Sequence, residues 1–236
     1  MTAEKNEKDL KNKILQYLPI AIAGPLLITL GIVFEQKLIM LLPTIVSLVV
    51  GLLVSRVSRY MFLIAGANCV LYSVGYYMNG LYGTALSALA ISFPASMVSF
   101  VLWSKNQTKT KEVVVRRFNK KSGFIFAVAV VLFWIASYFV YKALDTKTLV
   151  FETTVFVLGI TITFMQMLRF VETPFFNAAS SVISTVQWLI ITIESISNIN
   201  YLIYNVYYLY CVTVSIFKWI KLYKQQKEEN TYEVAE

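Results

Sequence analysis

The sequence contains no histidine, and only 14% of its 236 residues are charged. Without imidazole, Ser-His-Asp triads, histidine acid–base pairs and His-ligated metal sites are all excluded. The two cysteines, Cys69 and Cys211, both lie inside apolar runs and read as small core residues. They are too few for a disulfide framework or a four-ligand zinc site. Charge is missing where it would mean most: no Asp, Glu, Lys or Arg stands at mid-depth of the long apolar runs. Nor does any H-E-x-x-H, G-x-S-x-G or G-x-x-x-x-G-K motif occur, so nothing points to an enzyme, a cofactor or a metal.

What the chain has in abundance is apolar surface, with 58% hydrophobic residues and a mean hydropathy of +0.65. At roughly 20 apolar residues per crossing, about eight spans consume nearly all of it. The segments are Ile14–Phe34, Leu38–Ser55, Met61–Met78, Leu81–Trp103, Gly123–Tyr141, Leu149–Leu168, Thr173–Glu194 and Tyr201–Ile220. Helix is the expectation for each, because open strands would leave backbone groups unpaired in lipid. The fold class is therefore an all-α membrane protein. Residues 1–13 read as a mobile polar tail, 104–122 as a basic loop and 221–236 as a second polar tail. The first span is too long for a signal core, and no small-residue cleavage site precedes the charged Glu35–Lys37 turn, so it is expected to stay uncleaved.

The net charge is +8, but the basic residues punctuate apolar runs instead of lining an amphipathic face. The expected partner is the lipid bilayer and not nucleic acid. With eight spans and a cytoplasmic N-terminus, eighteen of the twenty-one Lys and Arg fall inside, leaving Lys37, Lys142 and Lys147 outside. That asymmetry predicts a multi-pass protein of the cell membrane with both termini cytoplasmic.

Two spans end alike: Val98-Ser99-x-x-x-Trp103-x-Lys105 matches Val214-Ser215-x-x-x-Trp219-x-Lys221. The third and seventh spans also align, Ala67–Tyr76 on Ala179–Trp188, at nearly the same offset. Together they suggest a duplicated three-helix unit, 38–103 and 149–220, joined by a linker helix at 123–141 and preceded by an extra helix at 14–34. An odd-numbered unit repeated across one linker crosses the membrane twice in the same sense. That is the parallel-repeat plan of transporters, with a substrate site where the repeats meet.

Uncharged polar groups occupy the interior. Asn68, Tyr72 and Tyr76 share one helical face, as do Asn177, Ser181, Ser184 and Trp188, with Gln187 adjacent. Gln166, Asn205 and Tyr208 complete the candidate substrate-binding set, and Tyr201 lies on the same span as the last two. Amides and hydroxyls suit a sugar or a base edge, and aromatic faces suit a flat ring or a cation. The absence of buried cations argues against a phosphorylated solute, and the absence of a buried titratable group favours passive movement over proton coupling. The stripe Ala85, Ala88, Ser92, Ser96, Ser99 reads as a helix-packing face. Pro94, mid-span, is expected to kink its helix and is a candidate gating hinge.

Asn79-Gly-Leu-Tyr-Gly83, Val101–Asn106, Val114-Val-Arg-Arg117, Leu168–Glu172 and Phe217–Leu222, taken in order, resemble the PnuC family of bacterial vitamin transporters. That family is similar in fold to the SWEET sugar transporters, with 3+1+3 helices. The resemblance implies uptake of nicotinamide riboside or a related vitamin by facilitated diffusion, trapping by phosphorylation after entry, and a homotrimer. Family members that take the riboside typically carry W-x-x-W after the glutamate. Here Pro174 and Asn177 stand at those positions, which leaves another nucleoside, thiamine or riboflavin as alternative substrates. A substrate-binding subunit of an energised importer is the alternative class.

Overall fold

A computed structural model describes residues 2–36, 38–78, 88–108, 112–143, 149–194, 196, 199–229 and 233–235; the side chains of 2–16, 40, 75, 76, 78 and 233–235 are not among those described. Eight α-helices occur among these residues: α1 (Thr2–Val33), α2 (Leu38–Ser55), α3 (Tyr60–Met78), α4 (Phe93–Lys105), α5 (Lys120–Ala143), α6 (Leu149–Met167), α7 (Thr173–Glu194) and α8 (Ile199–Glu228). Two short strands, β1 (Arg116–Phe118) and β2 (Glu233–Ala235), pair in parallel. Among the described residues, four apolar segments are long enough to cross a bilayer outright: Ala88–Lys105 and helices α5, α6 and α7. Shorter apolar stretches fill Tyr17–Val33, Leu41–Ser55 and Tyr60–Val74. Helix α5 turns Phe124, Leu132 and Phe139 outward, as a lipid-facing helix does.

Three expectations need correction. The N-terminal tail is helical from Thr2, a continuation favoured by Glu and Lys at i, i+4 spacing (Glu4 with Lys8, Glu7 with Lys11). The C-terminal tail extends α8 to Glu228 and then supplies β2. The basic loop holds β1. The expected start of the fourth span, residues 81–87, lies outside the described residues. From Ala88 that span makes a π-helical turn to Ser92 and becomes α-helical at Phe93. Pro94 has no N–H to give the Ala90 carbonyl, and such a gap is commonly absorbed as a π-turn.

The packing is a ring. Helix α2 packs on α3, α3 on α4, α4 on α6, α6 on α7, α7 on α8, and α8 back on α2. The two seams between the halves, α2–α8 and α4–α6, exchange with each other when the first unit is mapped onto the second. Linker α5 sits outside on α6, and α1 lies against α2 and α8. In the α2–α8 seam, Tyr207 donates its hydroxyl to the Leu48 carbonyl at 2.7 Å. Gly51 lets the two backbones approach: a Cβ there would come within 2.8 Å of the Tyr207 ring.

At the basic end the ring is plugged. Val54, Phe62, Trp103, Val113, Val115, Val171, Val212, Trp219 and Leu222 form its largest buried cluster. Trp103 and Trp219, the matched tryptophans of the repeat, meet edge to face with centroids 5.7 Å apart. The Trp103 indole N–H donates to the Gln166 carbonyl at 2.7 Å. Residues 113–118 fold beneath them. Gln226, buried on α8, accepts from the Val115 N–H (2.9 Å) and donates to the Val113 carbonyl (2.8 Å), acting as a neighbouring strand would. Arg116 exchanges backbone bonds with Arg169 and Val171, each 2.9 Å. Phe118 stacks on Phe170 at 3.7 Å. Arg169 adopts φ 66° and donates to the Val114 carbonyl at 3.1 Å. Glu172 accepts weakly from the Phe118 N–H through Oε1 (3.4 Å), while its buried Oε2 has no partner among the described residues.

Replacing Gly51 by Val overpacks the α2–α8 seam and is expected to cost about 1–3 kcal/mol, read as a lower melting temperature in detergent; an unchanged melting temperature would show that the seam is looser than described. Burial pushes the Glu172 carboxyl above its ordinary 4.5. The folded state then binds a proton more readily than the unfolded one, so this group's contribution to stability rises as pH falls through the shifted value. Glu172→Gln should melt higher than the parent near neutral pH, with the gap narrowing toward about pH 4–5; parallel melting curves across that range would refute the buried charge.

Candidate substrate pathway

The polar side chains inside the ring fall into three groups. Between α2 and α3, the Asn68 amide donates to Ser47 Oγ at 2.8 Å and to the Pro43 carbonyl at 3.0 Å. The Tyr72 hydroxyl lies 3.1 Å from the same Ser47 oxygen, which itself bonds the Pro43 carbonyl. Tyr204 of α8 stands next to this group, its ring 5.8 Å from that of Tyr208. Asn68 is only 3% exposed, and its Oδ1 has no partner among the described residues. A buried amide oxygen left open is costly unless something else fills it.

Between α7 and α8, Ser184 donates to Asn205 Oδ1 at 2.8 Å, and the Asn205 amide donates to the Tyr201 carbonyl at 2.8 Å. Trp188 stacks on the Tyr201 ring with centroids 4.4 Å apart and 17° between the planes. Ser181 and Gln187 are buried on the same helix.

The third group borders a cavity. Tyr208 makes a long hydrogen bond, 3.5 Å, to Asn177 Oδ1. It lines a space of about 190 Å³ together with Val50, Val54, Met61, Phe62, Ala65, Ser92, Ser96, Ser99, Thr163 and Gln166. These residues come from both repeats, and Phe62 also touches Trp103, so the cavity rests on the plug. Its volume falls below the roughly 300–1,000 Å³ usual for small-molecule sites. A nucleoside-sized solute therefore needs side chains to move.

Of the residues singled out from sequence, Gln166 and Tyr208 line this cavity and Asn177 borders it through Tyr208. Asn68 and Tyr72 belong to the first group, and Ser184, Asn205 and Trp188 to the second. The Tyr76 side chain lies outside the described residues. The serine stripe has two parts to play: Ser96 packs closely against Gly66 of α3, as a packing face does, and Ser92, Ser96 and Ser99 also wall the cavity. Ser47 and Tyr204 were not anticipated; a serine four residues after Pro43 in an apolar run was the available signal for the first.

A ring of apolar helices around uncharged polar groups is an arrangement that suits a membrane transporter. The family described as Nicotinamide mononucleotide transporter matches residues 37–221, and the chain belongs to it. A solved structure, the crystal structure of the Vitamin B3 transporter PnuC, has the same fold: the TM-score is 0.73 at 15% identity, over 89% of this chain and 92% of that one. No curated protein sequence matches. Family and fold neighbour are both transporters, in keeping with the lack of any enzyme motif.

Filling the cavity tests its role. Ser96→Leu is expected to lower the melting temperature, since Ser96 also packs on Gly66, and to reduce uptake per folded molecule about tenfold in proteoliposomes, whereas unaltered uptake would place the route elsewhere.

Proposed function

We propose that this transporter carries an unphosphorylated nucleoside or B vitamin of the nicotinamide riboside class by facilitated diffusion. The observation that carries this reading is the chemistry of the interior. Asn68, Asn177, Ser184, Asn205, Gln166 and the tyrosines offer hydrogen bonds without fixed charge. A phosphate dianion would need cations or helix N-termini in their place. Proton coupling would call for a buried titratable group, and the spans hold no carboxylate at mid-depth.

The fold neighbour's description as a vitamin B3 transporter supports a flat heteroaromatic substrate. Trp188, stacked on Tyr201, supplies an aromatic surface on which such a ring could exchange for the tyrosine. Asn177 and Pro174, where the resemblance leads one to expect tryptophans, favour hydrogen bonding over stacking at that level, which keeps thiamine, riboflavin and deoxynucleosides as candidate substrates. The eighteen-to-three distribution of basic residues supports placement in the cell membrane with the plugged end cytoplasmic.

The purified chain, alone in liposomes of neutral lipid, should equilibrate labelled nicotinamide riboside or one of those vitamins without a proton gradient. Accumulation above the external concentration that an uncoupler abolishes would overturn the passive mechanism. Failure of the chain to transport by itself would point instead to a binding subunit.

A further inference from the structure

The plugged end carries a second concavity that the transport route does not use. A cleft of about 480 Å³ opens there, within the size range of small-molecule sites. Val113 and Leu222 line it, and both belong to the plug, so the cleft lies on the plug's far side. Its walls bring Arg56, from the α2–α3 turn, together with Lys218 and Lys221, one turn apart on α8. Glu112 also lines the cleft, one carboxylate among three cations, and Ser58 and Gln225 add neutral hydrogen-bonding groups.

The three cations are not arranged as a scattered solvated surface. The Arg56 guanidinium lies 4.7 Å from the Tyr17 ring centroid, and its buried Nε has no hydrogen-bond partner among the described residues. Lys218, partly buried, sits close enough to Arg56 for the two to repel. Like charges brought together on a concave wall raise the local potential, and a multiply charged oxyanion relieves it. Guanidinium grips such an anion through a two-pronged contact while ammonium groups serve as point charges.

We propose that this cleft binds a phosphate-bearing anion through Arg56, Lys218 and Lys221. The ligand bridges the α2–α3 turn of the first repeat and α8 of the second, beside the plug residue Val113. It therefore binds the closed plug better than an opened one and slows transport. That regulatory consequence rests on the proposed uptake direction; the binding itself does not. A soluble phosphate ester and an anionic lipid headgroup share this chemistry.

The test uses the full-length chain in nonionic detergent, titrated with inorganic phosphate and with nicotinamide mononucleotide, and then in nanodiscs of phosphatidylcholine with or without phosphatidylglycerol. The expected result is a saturable rise in melting temperature that shrinks with added salt. Affinity should fall about tenfold in Arg56→Gln and in Lys218→Gln, and be retained in Lys221→Arg. A rise with the soluble anions identifies a soluble ester as ligand; a rise with phosphatidylglycerol alone identifies the headgroup. Should Arg56→Gln not fold, the exposed Lys221→Gln carries the same comparison. No stabilisation by any of the three anions, or equal stabilisation of the Gln variants and the parent, would overturn the proposal. Uptake of labelled nicotinamide riboside is measured separately, so a failed transport reading leaves the binding result standing.

Discussion

In hydrocarbon a polar group has no water to fall back on, and the interior of this protein is organised around that constraint. The Asn68 amide, the Ser47 hydroxyl and the Pro43 carbonyl satisfy one another across two helices. Ser184 and Asn205 do so across another pair. Each such bond is worth little by itself in a membrane, on the order of 1 kcal/mol or less, yet together they dictate which helix faces turn inward. A closed circuit of helices suits this, because it gives inward polar faces neighbours to bond, as Asn68 and Ser47, and Ser184 and Asn205, do.

The plug applies the same rule to a segment that is not helical. Backbone from 113 to 118 cannot bond to itself in the α-helical pattern, so it needs donors and acceptors from elsewhere. Gln226 contributes a side-chain amide in the place of a peptide group, Arg169 and Val171 contribute real ones, and Phe118 seals the edge against Phe170. Arg169 takes a left-handed backbone conformation to do this, an arrangement that persists only where surrounding contacts outweigh its cost. The plug thus ties the loop between the repeats to the far end of α8, the last helix of the second repeat.

How much of this was legible from sequence divides along the range of the interactions. The limits of α2, Leu38–Ser55, and of α7, Thr173–Glu194, coincide with the apolar runs because hydropathy is a local property. That Asn68 needs a partner on a neighbouring helix was legible from the cost of an amide in lipid, and the structure pairs it with Ser47 of α2. The plug was not legible: Gln226 meets residues 111 and 113 positions away, and nothing in the composition of 104–122 signals that distant partner. Nor could spacing distinguish a serine stripe that packs from one that walls a cavity, since Ser92, Ser96 and Ser99 satisfy both patterns. The N-terminal residues were read by polarity, which marks exposure but is silent about helicity.

The meeting of Trp103 with Trp219 has an optical consequence. Any movement that unseals the basic end must draw these indoles apart or expose them to water. The other two tryptophans are engaged elsewhere, Trp134 with Thr154 and Trp188 with Tyr201. The molecule consequently carries an intrinsic fluorophore pair at its closure, whose emission colour and mutual quenching would change as the passage opens, without any attached dye.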